Sequence, residues 1–571
     1  MKRYFCCILF TVLAFNFSGS FAVQFFGKTV GAELRERIYV QTDKQLYLAG
    51  EPVLMKVLTA DPDQIPLTFS KIAYVELIGD SVAREQIKLE LIDGVGTGRM
   101  QLPTDLPTGY YRLIAYTQYM RNEGTDVFFE KIIAVVNTFL SGYHPTDAEP
   151  ETENHFLSAG ETGSGTVSLQ ADKASYSTRD RGELIITGLP ENIHTLSVSV
   201  AGKEIIPATE SNVSLFKKNG SKKSTGFSGE FLPEYEGHII TGKIFDNQTG
   251  ITERDNILLA PGLSFPGEGI RFFAGQKSNA GDVRFFTSGI SGTNEIATIL
   301  YYTDEKYRID IQSPFVTRFV SESMPALRLD SACYGRLLER SVALQVFRYF
   351  AEDPSTSQNN PAPVLKIKPT WSYPLDEYTR FSTMRDVFVE FIIGARFRRN
   401  AGKQEISVLV KRGSSYDYGK MPLVLLDGVP VSDHNIIYSY DPLAVERINI
   451  YYGPRILGGY IFDGIVELTT YRRLHQDLSM NRSSQILSYE GPQLPYHLNT
   501  PDYSEERNRQ SRMPDGRHTL LWNPDVRSDG KTSIRLPFDT SDLSGEFQAT
   551  VEGITKDGEI IFATSFFKVE R

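Results

Sequence analysis

Few residues in this 571-residue chain stand at spacings that could do chemistry. Ser214 and Lys217 have the Ser-x-x-Lys spacing of enzymes that acylate a serine, but the surrounding residues predict no helix and no partner motif accompanies them. The eight histidines are scattered, and none has the spacing of a metal-ligand pair. His-Glu-x-x-His, Cys-x-x-Cys and a phosphate-binding loop are missing. The sequence therefore predicts no catalytic residue, no metal site and no cofactor.

Carboxylates are the remaining candidates for chemistry, because Asp and Glu number 70 against 60 Lys and Arg. The net charge of −10 argues against binding nucleic acid or an anionic lipid surface through bulk charge. A sequence cannot pair carboxylates that lie on different strands. An envelope hydrolase of peptides or glycans, with carboxylates brought together by the fold, is therefore kept as the alternative function.

The N-terminus has the pattern of a secretory signal peptide, residues 1–22. Lys2 and Arg3 form a basic region, an apolar core follows, and Ser20 and Ala22 are small residues at the spacing of a cleavage site. Only Cys333 would remain after cleavage, so the exported chain would hold no internal disulfide. We expect a periplasmic protein without a transmembrane span, peripherally associated with the outer membrane.

Residues 34–137 alternate apolar and polar side chains in short runs separated by turns, which predicts an antiparallel β-sandwich. The stretch resembles the second macroglobulin-like (MG2) domain of alpha-macroglobulins. The residues that carry this resemblance are Thr42, Asp43, Lys44, Tyr47, Gly50, Glu51, Leu102, Pro103, Gly109, Tyr111, Leu113, Ala115, Tyr116 and Thr117. Thioester macroglobulins use Cys-Gly-Glu-Gln, and this motif is missing, so the resemblance implies no thioester chemistry.

Three further units are predicted before the centre of the chain. Residues 141–165 are acidic and rich in turn formers, as in a linker. Residues 166–208 repeat the earlier motif and resemble a second macroglobulin-like unit, in which Asp172, Lys173 and Tyr176 match Asp43, Lys44 and Tyr47. Residues 236–313 resemble the carboxypeptidase regulatory-like domain, a transthyretin-like sandwich.

A change of period at 325–351 predicts an amphipathic helix with Cys333 packed on its apolar side. The end of the chain returns to short strands and turns, so residues 484–571 are predicted to form a separate C-terminal β-sandwich. Its main part would be 515–571, completed by strands from 484–500.

The stretch KMPLVLLDGVPVSDHNIIYSYDPLAVERINIYYGP, residues 420–454, belongs to a predicted α/β unit at 376–475. It resembles the plug domain of TonB-dependent outer-membrane receptors through Pro422, Leu423, Asp427, Gly428, Val431, Asp441, Pro442, Val445, Ile448, Ile450, Gly453, Gly464, Val466, Leu468 and Thr470. Gly428 and Gly464 are predicted at backbone positions that a β-carbon would strain. A receptor barrel needs about 22 strands of roughly 10 residues. The 96 residues after 475 are too few, so no pore is expected.

The loop predicted at 432–440 supplies the candidate binding residues Ile436, Ile437, Tyr438 and Tyr440. Apolar and tyrosine side chains exposed on a loop favour a protein partner. The alternative, at even weight, is that Ile436 and Ile437 fold back onto the unit.

These patterns predict a mostly β protein with tandem Ig-like or macroglobulin-like and transthyretin-like sandwiches plus one α/β plug-like domain. The combination resembles exported multidomain proteins of the Bacteroidetes. The predicted function is a non-catalytic interaction or scaffold protein of the cell envelope, accessory to outer-membrane transport or secretion. Its partner would be an envelope protein, possible examples being outer-membrane barrel proteins, and not a nucleic acid.

Overall fold

The computed structural model describes residues 34–140, 167–203, 212–224, 226–252, 259–278, 281–301, 306–319, 324–327, 329, 331–350, 363–412, 415–473 and 484–571. The signal peptide predicted at 1–22 and the linker predicted at 141–165 lie outside the described residues. In the described part the chain is mostly β, as predicted, with many small sheets and five α-helices.

The first sandwich uses eight strands from one continuous stretch. They are β1 (Arg37–Thr42), β2 (Leu46–Leu48), β3 (Pro52–Ala60), β4 (Ile72–Gly79), β5 (Val82–Glu90), β6 (Val95–Gln101), β7 (Gly109–Tyr116) and β8 (Phe129–Val136). The sheet orders are β1-β3-β6 and β2-β8-β7-β4-β5. Tyr47, Tyr74 and Tyr116 are fully buried in one apolar core. Two 3-10 helices, Tyr119–Glu123 and Thr125–Val127, precede β8.

Four strands follow, and they do not close a sandwich by themselves. They are β9 (Ser168–Ala171), β10 (Ser175–Ser177), β11 (Arg181–Thr187) and β12 (Ile193–Gly202). Helix α1 (Asn212–Gly220) comes next. Ser214 and Lys217 lie on this helix, so the expectation that they lack a helical context was wrong.

The middle sandwich comes next along the chain. Its strands are β13 (Ile239–Asp246), β14 (Ala260–Ser264), β15 (Phe272–Ala274), β16 (Gln276–Lys277), β17 (Asp282–Phe286), β18 (Thr293–Tyr301) and β19 (Tyr307–Ile311). One sheet has the order β16-β17-β13-β19, and β15, β14 and β18 are neighbours in the other. Phe265, Phe285 and Ile296 are buried in the core between them.

Helix α2 (Ser331–Phe350) packs against the first sandwich. Cys333 and Leu337 are buried against Leu46 and Leu48, as the amphipathic period predicted. The helix begins six residues later than the predicted 325–351. No helix in the described ranges combines the length and hydropathy needed to span a membrane.

The plug-like unit mixes strands and short helices. Its elements are β20 (Trp371–Pro374), α3 (Met384–Glu390), β21 (Ala395–Asn400), β22 (Lys403–Arg412), β23 (Ser415–Gly419), β24 (Leu423–Leu426), β25 (Val429–Pro430), α4 (Asn435–Ser439), β26 (Val445–Tyr451), β27 (Arg455–Leu457), β28 (Tyr460–Phe462) and β29 (Ile465–Thr470), with 3-10 turns at Leu375–Glu377 and Pro442–Ala444. The main sheet has the order β20-β26-β29-β24-β25, and β21-β22-β23 form a smaller sheet. All of β24 is buried, as are Ile448 and Ile450 of β26, so both strands lie in the core of this unit.

The C-terminal strands do not build a sandwich of their own. They are β30 (Ser484–Glu490), β31 (Thr519–Asn523), β32 (Ser533–Asp539), β33 (Gly545–Thr555) and β34 (Ile560–Glu570), with helix α5 (Glu506–Arg509) after β30. β30 pairs with β18 and completes the middle sandwich. β31–β34 join β9–β12 in sheets ordered β32-β11-β9 and β10-β34-β33-β12-β31.

The predicted unit 166–208 and residues 519–570 of the predicted unit 484–571 are therefore halves of one second sandwich, and the expectation that 484–500 completes the C-terminal sandwich was wrong. The physical reason is that both halves carry the same alternating pattern, which shows that a strand exists but not which strand lies beside it. One side of β11 and both sides of β12 pair with strands from the far end of the chain, which supply hydrogen-bond partners for their backbone groups.

The two eight-stranded sandwiches have the same topology. Replacing β1–β8 by β9–β12 and β31–β34 in chain order turns the sheet orders of the first into those of the second. Both also contain one parallel pair, β2 with β8 and β10 with β34. The second copy thus differs in carrying the middle sandwich, α2 and the plug-like unit between its fourth and fifth strands.

Candidate partner surface

An Asp-Gly turn orders the centre of the plug-like unit. Asp427 and Gly428 both have positive φ, 49° and 81°, as a two-residue turn between antiparallel β24 and β25 requires. The Asp427 carboxylate accepts hydrogen bonds from the Thr470 backbone N (2.7 Å) and Oγ1 (2.6 Å). A β-carbon on Gly428 would lie 2.8 Å from the Gly267 carbonyl oxygen, and one on Gly464 (φ 107°) would lie 2.5 Å from a Val408 methyl. The strain predicted at both glycines is confirmed.

The segment predicted as an exposed loop, 432–440, contains the short helix α4 (Asn435–Ser439), which packs on the unit. Ile437 is fully buried on α4, and Ile436 and Tyr440 pack half-buried against the same core. The Tyr438 ring meets the Phe397 ring edge-on, with 5.1 Å between centroids. The structure agrees with the alternative that Ile436 and Ile437 fold back onto the unit, where apolar side chains gain more from the core than from solvent. Whether Ile436, Tyr438 and Tyr440 also bind a partner stays a prediction.

Polar groups tie this helix to strand β22. The Asn435 side-chain oxygen accepts from the Gln404 backbone N (3.0 Å), and His434 Nδ1 accepts from the Ile406 backbone N (2.9 Å). Burial lowers the pKa of His434 to about 4, so the ring stays neutral near pH 7 and Nδ1 remains an acceptor. These hydrogen bonds hold the segment in place against β22, and Ile437 packs with Ile406 and Val408 on the buried face of the smaller sheet.

The smaller sheet, β21-β22-β23, presents the exposed face of this unit, which we call the outer face. Its inner face buries Ala395, Ile406 and Val408. Side chains alternate along a strand, so the next residues in each strand point the other way. The outer face carries Arg396 and Lys411, both exposed, together with the cross-strand pair Arg398 and Glu405 and the residues Asn400, Lys403, Tyr416 and Tyr418.

Cations and tyrosines are paired on the outer face. The Arg396 guanidinium lies 3.7 Å from the centroid of the Tyr418 ring, and the Lys411 ammonium lies 5.9 Å from that of Tyr416. Such contacts hold the long basic side chains in place while their charges stay in water. The arrangement provides an aromatic surface lined with positive charge.

The sheet is basic although the whole protein is acidic. Residues 395–419 contain six Arg or Lys and two Asp or Glu, against a net charge of −10 for the whole chain. Glu405 is engaged by Arg398 (3.1 Å) and Asn400 (2.9 Å). Burial alone would raise the pKa of Glu405, but these two hydrogen bonds lower it, so the carboxylate stays ionised and is neutralised locally. Arg396, Arg399, Lys403 and Lys411 are exposed to solvent.

Sequence reasoning missed this surface, although a signal for it existed. The run Arg396-Phe397-Arg398-Arg399 alternates an aromatic with cations and precedes the Ala-Gly turn at 401–402. Such a run predicts a basic hairpin. The apolar residues of 436–440 were preferred to this basic run as candidate binding residues, because the sequence does not show that they are buried.

In the described structure, Glu234, His238 and Tyr489 form a hydrogen-bonded chain of titratable groups, the acid–base row, an arrangement that some catalytic sites use. His238 Nδ1 lies 2.8 Å from Glu234 Oε1, and His238 Nε2 lies 2.6 Å from the Tyr489 hydroxyl. Glu234 and His238 are each 1% exposed, so no substrate reaches them. Burial holds the pKa of His238 below its ordinary value although Glu234 opposes this. The row joins the first sandwich, through Tyr74, to the middle one.

No group of three or more His, Cys, Asp or Glu side chains in the described part of the chain could hold a metal ion. The described residues therefore add no metal ligand set to the candidates.

Comparison with solved structures finds bacterial alpha-2-macroglobulins. Salmonella alpha-2-macroglobulin reacted with methylamine aligns at 10% identity over 94% of this chain and 39% of that one, with a TM-score of 0.24. The native conformation of Escherichia coli alpha-2-macroglobulin aligns at 10% identity, with coverages of 94% and 40% and a TM-score of 0.22. The E. coli adhesin FdeC aligns at 11% identity over 52% of this chain and 66% of its own, with a TM-score of 0.15.

This chain spans about two fifths of the length of those macroglobulins. No protein-family model matches the chain, and no curated protein matches it. At these TM-scores the alignments do not define a shared arrangement, so the sandwich architecture rests on the strand pairing described above.

Proposed function

We propose that this protein is a non-catalytic interaction or scaffold protein of the cell envelope, and that its plug-like unit carries the partner surface. The observation that carries the proposal is the exposed outer face of β21-β23, a basic and aromatic sheet face on an otherwise acidic chain. The predicted signal peptide supports a place in the envelope, peripheral to the outer membrane.

The packing of the main plug-like sheet limits how the unit can act. Leu423, Leu425 and Tyr451 share a buried apolar cluster with Phe272 and Tyr301 of the middle sandwich. The other side of that sheet packs on α3, α4 and the smaller sheet. Both faces are thus covered by this chain, and insertion of the main sheet into a barrel would first expose the shared cluster to water. The smaller sheet needs no such rearrangement to meet a partner.

Site-specific photo-crosslinking tests the proposal. A photoreactive phenylalanine at Tyr416, which is 57% exposed on the outer face, should capture a defined envelope protein in intact cells. Phe566, also 57% exposed but on the second sandwich, is the matched control. Equal capture at both positions, or capture at neither, would contradict a partner surface on the plug-like unit.

The hydrolase alternative gains no support from a described site, because the acid–base row at His238 is closed to substrate. Peptide and glycan libraries incubated with the purified protein should show no turnover. Turnover that a single Asp or Glu substitution abolishes would restore that alternative.

A further inference from the structure

A small cavity lies where the first sandwich meets the second. Strands β1 and β3 of the first sandwich line it with Tyr39, Gln41, Lys56 and Leu58. Strands β12, β33 and β34 of the second sandwich supply the opposite wall, and helix α1 contributes Phe216. The volume is about 30 Å³, which is room for about two water molecules. The contact between the two sandwiches is therefore not close-packed at this place.

Lys56 is buried in this contact without compensation. The residue is 4% exposed, and its Nζ has no hydrogen-bond partner among the described residues. Thr97, which lies opposite Lys56 on β6, also has a buried hydroxyl that bonds to no group in the described part of the chain. A buried polar group without a partner costs free energy, and a buried charge costs more. The closed contact is therefore poorly suited to a charged lysine.

The charged groups that face Lys56 from the second sandwich give it no hydrogen bond. Glu552 of β33 lies on the opposite wall, where its carboxylate accepts a hydrogen bond from the Tyr39 hydroxyl. Glu552 and Asp525, which follows β31, attract the charge of Lys56, but burial outweighs both and lowers the pKa of Lys56 to about 7. Burial also lowers the pKa of His194 at the start of β12, and the charge of Lys56 adds to this shift.

We infer that the contact between the first and second sandwiches is a pH-sensitive latch, which opens with uptake of a proton by Lys56. The inference is independent of the proposed partner surface. When the walls separate, water solvates Nζ and the ammonium forms. The hydrogen bonds that cross the contact, from Tyr39 to Glu552 and from Ser197 to Gln41, can be replaced by bonds to water. The second sandwich keeps an apolar core that contains no residue of the first, so opening need not unfold it.

The direction of the pH dependence follows from the two states of the latch. Lys56 has the ordinary lysine pKa of 10.5 in the open state and a pKa of about 7 in the closed state. The closed state binds the proton less readily, so opening becomes easier as the pH falls from 10.5 to 7 and levels off below 7. Because one proton is taken up, the opening equilibrium constant should rise about tenfold for each pH unit in this window. His194 would add a dependence only below its ordinary pKa of 6.5.

Thiol labelling of the full-length protein tests the latch. Thr195→Cys places a thiol on the cavity wall, where it reacts only when the contact opens. Ser533→Cys, at an exposed position of β32, measures the reactivity of an open thiol at each pH. The labelling rate at 195, divided by that at 533, should rise about tenfold per unit as the pH falls from 10 to 7. A ratio that does not change with pH would overturn the inference.

Two substitutions assign the effect to Lys56. Lys56→Met removes the charge and should keep the ratio low at every pH, whereas Lys56→Arg stays charged and should keep it high. Lys531→Met, at an exposed lysine of the second sandwich, is the matched control and should follow the parent. Circular dichroism shows which variants are folded, and either Lys56 variant is sufficient for the test. A pH dependence that survives in a folded Lys56 variant would refute the latch.

Native Cys333 separates opening of the latch from unfolding of the whole protein. It is buried between α2 and the first sandwich, in a cluster that shares no residue with the cavity. Peptide mass spectrometry measures labelling at each thiol separately. Opening of the latch should label position 195 while Cys333 stays protected at the same pH. Parallel labelling of the two thiols would show global unfolding and would also overturn the inference.

Discussion

The two eight-stranded sandwiches share one topology but close in different ways. The first is made from residues 36–137 without interruption. The second needs 168–202 and 519–570, with two other folded units between. The same sheet orders can therefore be reached by local pairing or by pairing across most of the chain.

The point of interruption explains how the second sandwich tolerates its insertion. β12 and β31 are antiparallel neighbours, and the Gly202 backbone N donates to the His518 carbonyl (3.0 Å). The chain thus leaves and returns at one position, as it would across a short hairpin loop. Because the cost of closing a loop grows slowly with length, even a large insertion there is compatible with a stable sandwich.

The Asp-Lys-x-x-Tyr motif occurs once in each sandwich, at Asp43–Tyr47 and at Asp172–Tyr176. We call the turn that it forms the corner, and its hydrogen bonds can be compared between the two copies. Tyr47 donates to Asp43 (2.8 Å), and Tyr176 donates to Asp172 (2.6 Å). The same carboxylate oxygen accepts a backbone N–H eleven residues on in each copy, at 3.2 Å and 2.7 Å. The local sequence motif therefore builds the same turn twice.

The surroundings of the corner differ sharply. In the first copy the Asp43–Lys44 pair (2.9 Å) is buried, and Lys44 also lies 3.7 Å from Glu51. Arg340 of α2 binds Glu51 through two bonds, of 2.8 Å and 2.6 Å. In the second copy Lys173 is half-exposed and forms an ion pair with Asp180 (3.1 Å). Tertiary packing therefore buries the charged residues of the first corner in one network and leaves those of the second corner at the surface.

The largest expected effect comes from removing the C-terminal half of the second sandwich. A chain ending at residue 514 should lose hydrogen-exchange protection throughout 168–202, because β9–β12 would lose β31–β34. The first sandwich should retain protection in its core, since all eight of its strands remain.

The reverse experiment sharpens this result. Replacing residues 204–516 by Asn-Gly joins β12 to β31 as a short hairpin and should preserve protection in 168–202. If 168–202 stays unprotected in that chain, the inserted units are needed for the second sandwich to fold, and the insertion view is wrong.

The next effect separates the two corners. Asp43→Asn should destabilise the first sandwich by about 2–4 kcal/mol, because Lys44 would remain buried with less compensation. Asp172→Asn should cost about 1 kcal/mol or less, because water reaches that corner. Native-state hydrogen exchange measures the free energy of opening in each sandwich separately. Equal losses of that free energy in the two variants would show that burial of the carboxylate does not determine its contribution.

The contribution of Asp172 to stability depends on pH. Burial acts to raise the pKa of Asp172, but the Glu183 backbone N–H and the Tyr176 hydroxyl lower it below its ordinary value. The folded state therefore binds a proton less readily than the unfolded one, and the stabilisation is present above the ordinary aspartate pKa. It should be lost as the pH falls through the folded value, so Asp172→Asn and the parent should converge in acid.

A further effect, smaller than that of Asp43→Asn, concerns the contacts that clamp the two halves of the second sandwich together. Arg179 binds Asp542 at 2.6 Å and 2.8 Å and the Met513 carbonyl at 2.8 Å. Arg179→Gly removes these contacts and relieves the positive φ of 56°, so the net cost should be about 1–2 kcal/mol. Proteolysis within 503–515 should accelerate, while the exposed control Arg535→Ala leaves it unchanged. Unchanged cleavage in Arg179→Gly would contradict the clamp.

Local chemistry made much of the plug-like unit predictable. The Asp427-Gly428 turn, the buried β24 and the strained Gly464 follow from residue types and their immediate neighbours. The sequence left open whether Ile437 is exposed on a loop or folded back, because its burial depends on a core assembled from β21, β22 and α3. The basic outer face could have been inferred from the alternation of cations with Phe397 in 396–403.

By itself, the sequence determined the β character, the repeated Asp-Lys-x-x-Tyr corner, the amphipathic helix at Cys333 and the turn glycines, because each depends on alternation, helical period or φ within a few residues. Only the tertiary structure decided that 168–202 pairs with 519–570, that β30 joins the middle sandwich, and that Asp43 is buried while Asp172 is not. The physical reason is that strand edges and apolar faces are alike in any β-rich chain. Their partners are selected by the whole molecule, through the register and shape that bury the most apolar surface while pairing every backbone group.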